Sequence, residues 1–222
     1  MYGSYELPIM NPSPTLRELI DPAVTAVVTM ECQRGVIGDL ATIQSVRSEV
    51  VGADLEAKLT ALTQEARDAG VLVVHACAVF TKSRVESPTN APLLRYAASI
   101  PGQLIQHSAA AEVVPSLNPN NTDLVSSRFH GVSPFSGTDL DAILKAHGIT
   151  TVVACGVSLN VGVLGLVIEA VNLGYEVVLP TDGAVAIPSE AAAPLLRNTY
   201  SQLATFSSVA EVISTWKDIS AG

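Results

Sequence analysis

Apolar and polar positions follow two different periods along this chain, and together they predict an α/β fold. Continuous apolar runs are typical of strands buried on both faces of a parallel sheet, and they occupy 23–30, 71–80, 151–154 and 175–179. Weaker strand patterns cover 123–127 and 204–207. Apolar residues at helical spacing lie between them, at 54–69, 138–147, 162–172, 188–203 and 209–216. This alternation predicts a doubly wound, mostly parallel sheet with helices on both faces.

The organisation of the chain favours a single domain over 1–222. Residues 1–22 are polar and rich in proline, so we expect an N-terminal arm outside the core. Residues 81–121 have no strong period and are too many for a plain connection. We therefore expect this section to pack over the strand ends and to shape a pocket.

Composition narrows the function classes. The chain has 222 residues, 48% of them hydrophobic and 15% charged, with a net charge of −9. Without any basic run, it is predicted to bind neither nucleic acid nor a membrane. No signal peptide, membrane span, metal-ligand spacing or cofactor motif is visible, so we expect a cytoplasmic protein with no cofactor and no metal. The three cysteines adjoin apolar runs and are predicted to be buried, reduced core residues.

The most informative segment joins the strand at 151–154 to the helix after it. Its turn has the sequence GVSLNVGV at 156–163, and it includes Ser158, Asn160 and Gly162. Ligands of α/β folds bind at the carboxyl ends of parallel strands, where such turns lie. Backbone N–H groups at the start of the helix are suited to hold an anion or an oxyanion.

This turn, together with MECQ at 30–33 and RFHGVSPFSGTDLD at 128–141, resembles the isochorismatase-like hydrolase superfamily. The resemblance covers roughly residues 22–190. It implies the isochorismatase-like hydrolase fold, a cis peptide after Val157, and a homodimer or homotetramer. Members that hydrolyse amides are expected to use an Asp–Lys–Cys triad, and this chain has Glu31, Arg128 and Gly162 at or near those three positions. The register at the lysine position is open by one residue, with Phe129 as the alternative.

Two charged residues are predicted to carry the chemistry. Glu31 keeps a carboxylate at the end of the first strand, which suits a general acid or base; alternatively, it is an ordinary strand-end carboxylate. Arg128 stays charged and cannot shuttle protons. It suits a substrate carboxylate or a developing oxyanion, or it simply pairs with Glu31 or Asp123. Lys82 is a less favoured replacement for the family lysine.

Seven further residues are predicted to contact a small-molecule substrate. They lie in the three blocks that carry the resemblance or at the end of the second strand: Gln33, Phe80, His130, Phe135, Ser158, Asn160 and Gly162. His130 shares a loop with Arg128 and is the histidine best placed for substrate contact. Phe80 and Phe135 suit an apolar pocket, although core packing explains both nearly as well.

The predicted function is hydrolysis of a small metabolite without a cysteine nucleophile, with Glu31 as the general acid or base. Relatives with glycine at the position of Gly162 are thought to cleave a vinyl ether by protonating its methylene carbon. The alternatives are a catalytically inactive binding or assembly protein, a lyase or isomerase acting on a small carboxylated metabolite, and amide hydrolysis by Cys155 or Cys32. A Glu31 carboxylate that faces Arg128 in a closed pocket would favour an enzyme, whereas a pocket filled by side chains would favour the binding protein.

Overall fold

A computed structural model describes residues 14–222, and its centre is one parallel sheet. The strands are β1 (Thr25–Met30), β2 (Leu72–Ala78), β3 (Leu124–Arg128), β4 (Thr151–Val157), β5 (Glu176–Pro180), β6 (Ala184–Val185) and β7 (Thr205–Ser207). Their order is β3-β2-β1-β4-β5-β7, with β6 paired to β4, and every pairing is parallel. All residues of β1 and β4 are buried, as their continuous apolar runs predict.

Helices cover both faces of this sheet. They are α1 (Leu16–Leu19), α2 (Gln44–Gly52), α3 (Leu55–Asp68), α4 (Pro92–Ser99), α5 (Leu140–Ala146), α6 (Gly162–Asn172), α7 (Ala192–Asn198) and α8 (Val209–Ser220). One apolar core lies between the sheet and α1, α2, α3 and α8. The other lies between the sheet and α5, α6 and α7. The predicted doubly wound α/β fold is therefore confirmed.

Two parts of the chain differ from the pattern-based prediction. Leu19 and Ile20 belong to the predicted N-terminal arm, yet both are buried, and the Trp216 side chain donates a hydrogen bond to the Ile20 carbonyl (2.8 Å). The prediction of an arm outside the core is thus wrong at Leu19 and Ile20, and residues 1–13 lie outside the described part. The single helix predicted at 188–203 consists of α7 flanked by the 3₁₀ turns Ser189–Ala191 and Tyr200–Gln202. Pro194 lacks an N–H group and fits only the first turn of a helix, so α7 is short.

A buried polar network joins β1, β2 and α3 to Asp123, the residue that precedes β3 at the amino edge of the sheet. Thr29 contacts Nδ1 of His75 (2.7 Å), and Nε2 of His75 contacts the Asp123 carboxylate (3.2 Å). Arg67 donates two hydrogen bonds to that carboxylate, at 2.9 and 2.8 Å. Burial opposes ionisation of Asp123, but the hydrogen bonds from His75, Arg67 and the Asn120 amide outweigh it and hold its pKa well below the usual range.

In the part of the chain from residue 14 onward, no helix is both long and apolar enough to cross a membrane.

Asp123 is expected to stabilise the fold in a pH-dependent way. Because its pKa is depressed, its contribution is complete above about pH 4 and is lost as the pH falls further. Asp123→Asn should lower the free energy of unfolding by about 3–5 kcal/mol near neutral pH, since it leaves Arg67 buried without its charge partner. The mutant's stability should also fall less steeply below about pH 4.

Urea unfolding at several pH values measures both effects. Asp218→Asn is the matched control, because Asp218 is exposed on α8. An Asp123→Asn protein that follows the wild-type pH curve would contradict the role given to this network.

Candidate active site

A cavity of about 290 Å³ lies at the carboxyl ends of the parallel strands. The strand order reverses between β1 and β4, which is the place where α/β sheets bind their ligands. Glu31 directly follows β1, and Arg128 is the last residue of β3. The cavity wall includes seven of the residues predicted from sequence: Glu31, Phe80, Arg128, His130, Ser158, Asn160 and Gly162.

Glu31 and Arg128 form an ion pair in the cavity wall, through Nη2 of Arg128 and Oε1 of Glu31. The Arg128 side chain is 8% exposed and that of Glu31 is 22% exposed. Nε of Arg128 donates to the Gly131 carbonyl (3.3 Å), whereas its Nη1 is buried and has no hydrogen-bond partner within 14–222. Arg128 therefore supplies the cation at this site, and it pairs with Glu31 rather than with Asp123.

The turn after β4 brings backbone N–H groups to the same cavity. The Val157–Ser158 peptide is cis, as the family resemblance implies. The amides of Val161 and Val163 both donate to the Ser158 carbonyl, at 3.1 and 2.9 Å. For the amides of Asn160 and Gly162, no acceptor occurs among the described residues. These two N–H groups belong to residues of the cavity wall at the start of α6, and they are suited to hold an anion or oxyanion.

The backbone around Gly162 is packed too closely for a larger side chain. A Cβ atom built there would lie 2.7 Å from the Val157 carbonyl oxygen and 3.1 Å from Cε of Met30. The first contact is with backbone, which cannot move as easily as the end of a flexible side chain. A side chain at position 162 would therefore require neighbouring atoms to shift.

The Isochorismatase domain family model matches residues 25–211, which is most of the chain. This chain belongs to the isochorismatase family. It is 31% identical over 134 residues to the uncharacterized isochorismatase family protein YecD of Escherichia coli O157:H7, an alignment that covers 60% of this chain and 64% of YecD. It is 40% identical over 81 residues to the uncharacterized isochorismatase family protein YwoC of Bacillus subtilis strain 168, covering 36% of this chain and 42% of YwoC. The chain thus spans less than two thirds of either relative.

The fold also matches solved structures of the isochorismatase family. A cysteine hydrolase from Pseudomonas syringae pv. phaseolicola 1448A superposes with a TM-score of 0.76 and 22% identity, over 94% of this chain and 99% of that one. At this identity the likeness concerns the fold.

Two residues predicted to bind substrate do not line the cavity of this isochorismatase-family protein. Gln33 is fully buried, and its side chain bonds to backbone groups of Ala78 and Ala111 at 2.8–2.9 Å. It connects the end of β2 to the long section that follows. Phe135 lies in the core between the sheet and α6, where its ring stacks on Tyr175 with centroids 6.0 Å apart. The structure therefore does not bring Gln33 and Phe135 together with the other predicted site residues.

Three other predicted residues line the cavity in ways that also support the fold. The Asn160 side chain donates to the Ile187 carbonyl (2.7 Å) and accepts from the Ile187 amide (3.2 Å). Phe80 belongs to a small apolar cluster with Ala78 and Leu104. The His130 ring lies against Gly137, where a Cβ atom would come within 2.7 Å of its Nε2.

Sequence reasoning missed the cavity wall contributed by α2 and α4. The wall includes Val46 of α2 together with Leu93, Leu94, Tyr96 and Ala97 of α4. A signal for α4 was present, because Pro92 suits a first helical position and Leu93, Tyr96 and Ala97 follow a helical spacing. The expectation that the section from 81 to 121 shapes a pocket is confirmed by these contacts.

The three thiols lie away from the cavity. Burial raises the pKa of Cys77 and that of Cys155 to about 12, and it raises the pKa of Cys32 well above the usual value. Lys82 is exposed and does not line the cavity. From residue 14 onward, no group of three His, Cys, Asp or Glu side chains is arranged to hold a metal ion.

The thiols are expected to be unreactive in the folded protein, because they are buried and have raised pKa values. An aromatic disulfide reagent near pH 8 should titrate almost none of them in native buffer, and all three after unfolding in guanidinium. Rapid native modification of one thiol would contradict their assignment to the core.

Gly162→Ala is expected to destabilise the protein by about 1–3 kcal/mol, since overpacking against a carbonyl oxygen forces the backbone to shift. Gly52→Ala is the matched control: Gly52 ends α2, and a Cβ there meets nothing within 4 Å. That control should gain about 0.5–1 kcal/mol. Equal unfolding free energies for the two variants in urea would show that position 162 has room for a side chain.

Proposed function

We propose that this protein is a hydrolase of small molecules that uses the Glu31 carboxylate where cysteine hydrolases use a thiol. The observation that carries the proposal is the position of Glu31, which lines an open cavity and is bonded to Arg128. Membership in the isochorismatase family supports hydrolysis as the reaction class. Buried thiols and the crowded position 162 support a mechanism without cysteine.

The ion pair favours a general base over a general acid. A hydrogen bond from an arginine stabilises the charged form of a carboxylate, and that form takes up a proton rather than giving one. In the proposed reaction Glu31 removes a proton from water while the oxygen of that water bonds to the reacting carbon. The bond to the leaving group then breaks, and the proton passes from Glu31 to the leaving group. Direct protonation of a vinyl ether would require Glu31 to be protonated first.

Arg128 and the turn amides complement this base. Negative charge develops on the substrate oxygen during water attack, and fixed N–H groups stabilise it without reorganising. The amides of Asn160 and Gly162 are suited to this role, since they have no acceptor among the described residues. Arg128 adds positive charge beside them and holds Glu31 in place. Its role in the proposal is electrostatic, because an arginine does not give up its proton.

A catalytically inactive binding protein is the second candidate, and the same ion pair favours it. If Arg128 serves only to neutralise Glu31, the pair is a structural element at the bottom of a ligand cavity. A lyase or isomerase would use the same base without water. The proposed homodimer or homotetramer is compatible with each of these functions.

Glu31→Gln is expected to lower kcat by at least about 10²-fold, because the amide cannot accept the proton of water. A panel of neutral p-nitrophenyl esters and p-nitroanilides provides the substrates, and release of the chromophore gives the initial rate. Incubation of the native protein with a thiol-alkylating reagent before the assay should leave the wild-type rate unchanged, because the thiols are buried. Glu31→Asp should retain part of the activity, since it keeps the carboxylate.

Glu190→Gln is the control, because Glu190 is exposed and outside the cavity. Thermal unfolding of each variant separates loss of chemistry from loss of fold. Full turnover by a folded Glu31→Gln protein would refute the base assignment. A wild-type protein that turns over no member of the panel would favour the binding protein.

A further inference from the structure

We propose that the cavity binds an uncharged molecule with an apolar body, and that a carboxylated molecule binds poorly. The claim that such a molecule is hydrolysed rests on the proposed function. A preference for uncharged molecules differs from the expectation, drawn from sequence, that Arg128 receives a substrate carboxylate.

The charges of the cavity wall cancel. Glu31 and Arg128 are its only Asp, Glu, Lys or Arg side chains among the described residues, and they are paired with each other. A ligand carboxylate would have to displace Glu31 from Arg128, or it would lose its hydration without gaining a counter-charge. Both outcomes are costly, because an unpaired charge withdrawn from water is strongly destabilising.

The two cations that follow Phe80 in the chain do not change this balance. Arg84 stacks on the Phe80 ring, 4.4 Å from its centroid, and donates to the Gln103 carbonyl (3.3 Å). It does not line the cavity. Lys82 is exposed and is also outside the wall. A ligand anion therefore finds no free cationic side chain in the cavity wall as described.

The remaining wall is largely apolar. Most polar groups of the wall lie at or just after the strand ends, with Ser45 of α2 and Gln103 in addition, whereas α4 and the start of α2 contribute aliphatic side chains such as Ile43, Val46 and Leu94. Phe80 and Leu104 add a further apolar surface. A bound molecule would therefore place its one polar, reacting group at Glu31 and its apolar part against the helices.

The exposure of α4 supports an apolar occupant. Leu93 and Tyr96 line the cavity, yet they are 44% and 52% exposed, and no residue of α4 is buried. Large apolar side chains that are left in water beside a cavity are favourable places for apolar ligand surface. The volume of about 290 Å³ is at the small end for ligand cavities, which indicates a small molecule.

Two homologous series of ligands test the substrate class without needing turnover. Butanamide, hexanamide and octanamide are the neutral probes, and the carboxylates of the same chain lengths are the charged ones. Titration calorimetry near pH 8, where histidines are uncharged in ordinary settings, gives the dissociation constants. We expect the amides to tighten about fourfold for each added methylene, and each carboxylate to bind at least about tenfold more weakly than its amide.

Glu31→Gln provides the sharpest test, because it removes one charge and keeps the shape of the side chain. Arg128 then lacks its counter-charge, so the carboxylates should bind about tenfold more tightly than to the wild type. The amides should change by less than about threefold. Glu31→Asp, which keeps the charge, should retain the wild-type preference.

Leu93→Ser and Leu173→Ser form a matched pair for the apolar wall. Leu93 lines the cavity, while Leu173 follows α6 outside it and is similarly exposed (38%). Octanamide affinity should fall about tenfold or more in the first variant and stay constant in the second. Carboxylates that bind the wild type as tightly as amides, or amide affinities that do not depend on chain length, would overturn the inference.

The inference and the proposed function can fail separately. If neutral ligands bind as expected but no ester or anilide is hydrolysed, the substrate class stands as a ligand class and the hydrolase proposal falls. If turnover depends on Glu31 but carboxylates bind best, the hydrolase proposal stands and this inference falls.

Discussion

The ion pair between Glu31 and Arg128 is the interaction on which the candidate site depends. It connects the carboxyl ends of β1 and β3 across the end of β2, and so it fixes two edges of the cavity relative to each other. Glu31 has a positive φ of 52°, and its amide donates to the Ala76 carbonyl (2.8 Å). A non-glycine residue in that region is uncommon and is maintained only where surrounding contacts require it. The pair also sets the local charge to zero, which decides what kind of ligand the cavity can accept.

Much of the fold follows directly from the sequence, because buried parallel strands and amphipathic helices have distinct periods. Continuous apolar runs predict strands at 23–30, 151–154 and 175–179, and the structure places all three in the sheet. The convergence of Glu31, Arg128 and the 158–162 turn was also predictable, since parallel strands end at the same edge. The wall formed by α4 was not, because a short helix with no buried residue leaves only a weak pattern.

Two predicted site residues that do not line the cavity show why a residue's place in a family motif does not determine which groups its side chain contacts. Gln33 and Phe135 belong to blocks that resemble the family, yet tertiary contacts direct one to backbone groups and the other to the core. Sequence separation hides such contacts: the Gln33 amide bonds to residues 45 and 78 positions away. The crowding at Gly162 is partly hidden in the same way, because Met30 of β1 contributes to it beside the Val157 carbonyl oxygen.

The two buried charge networks of this protein differ in a way that bears on function. At the amino edge, the Asp123 side chain is 3% exposed, and it accepts bonds from Arg67, His75 and the Asn120 amide. At the carboxyl edge, Glu31 is 22% exposed to a cavity, and within 14–222 Arg128 keeps one buried nitrogen without a partner. An unmet buried donor does not distinguish the two networks, because Nη1 of Arg67 also has no partner within 14–222. The difference lies in the carboxylates: Asp123 is closed to solvent and accepts from three residues, whereas Glu31 is partly open to the cavity, so a ligand can reach only the second network.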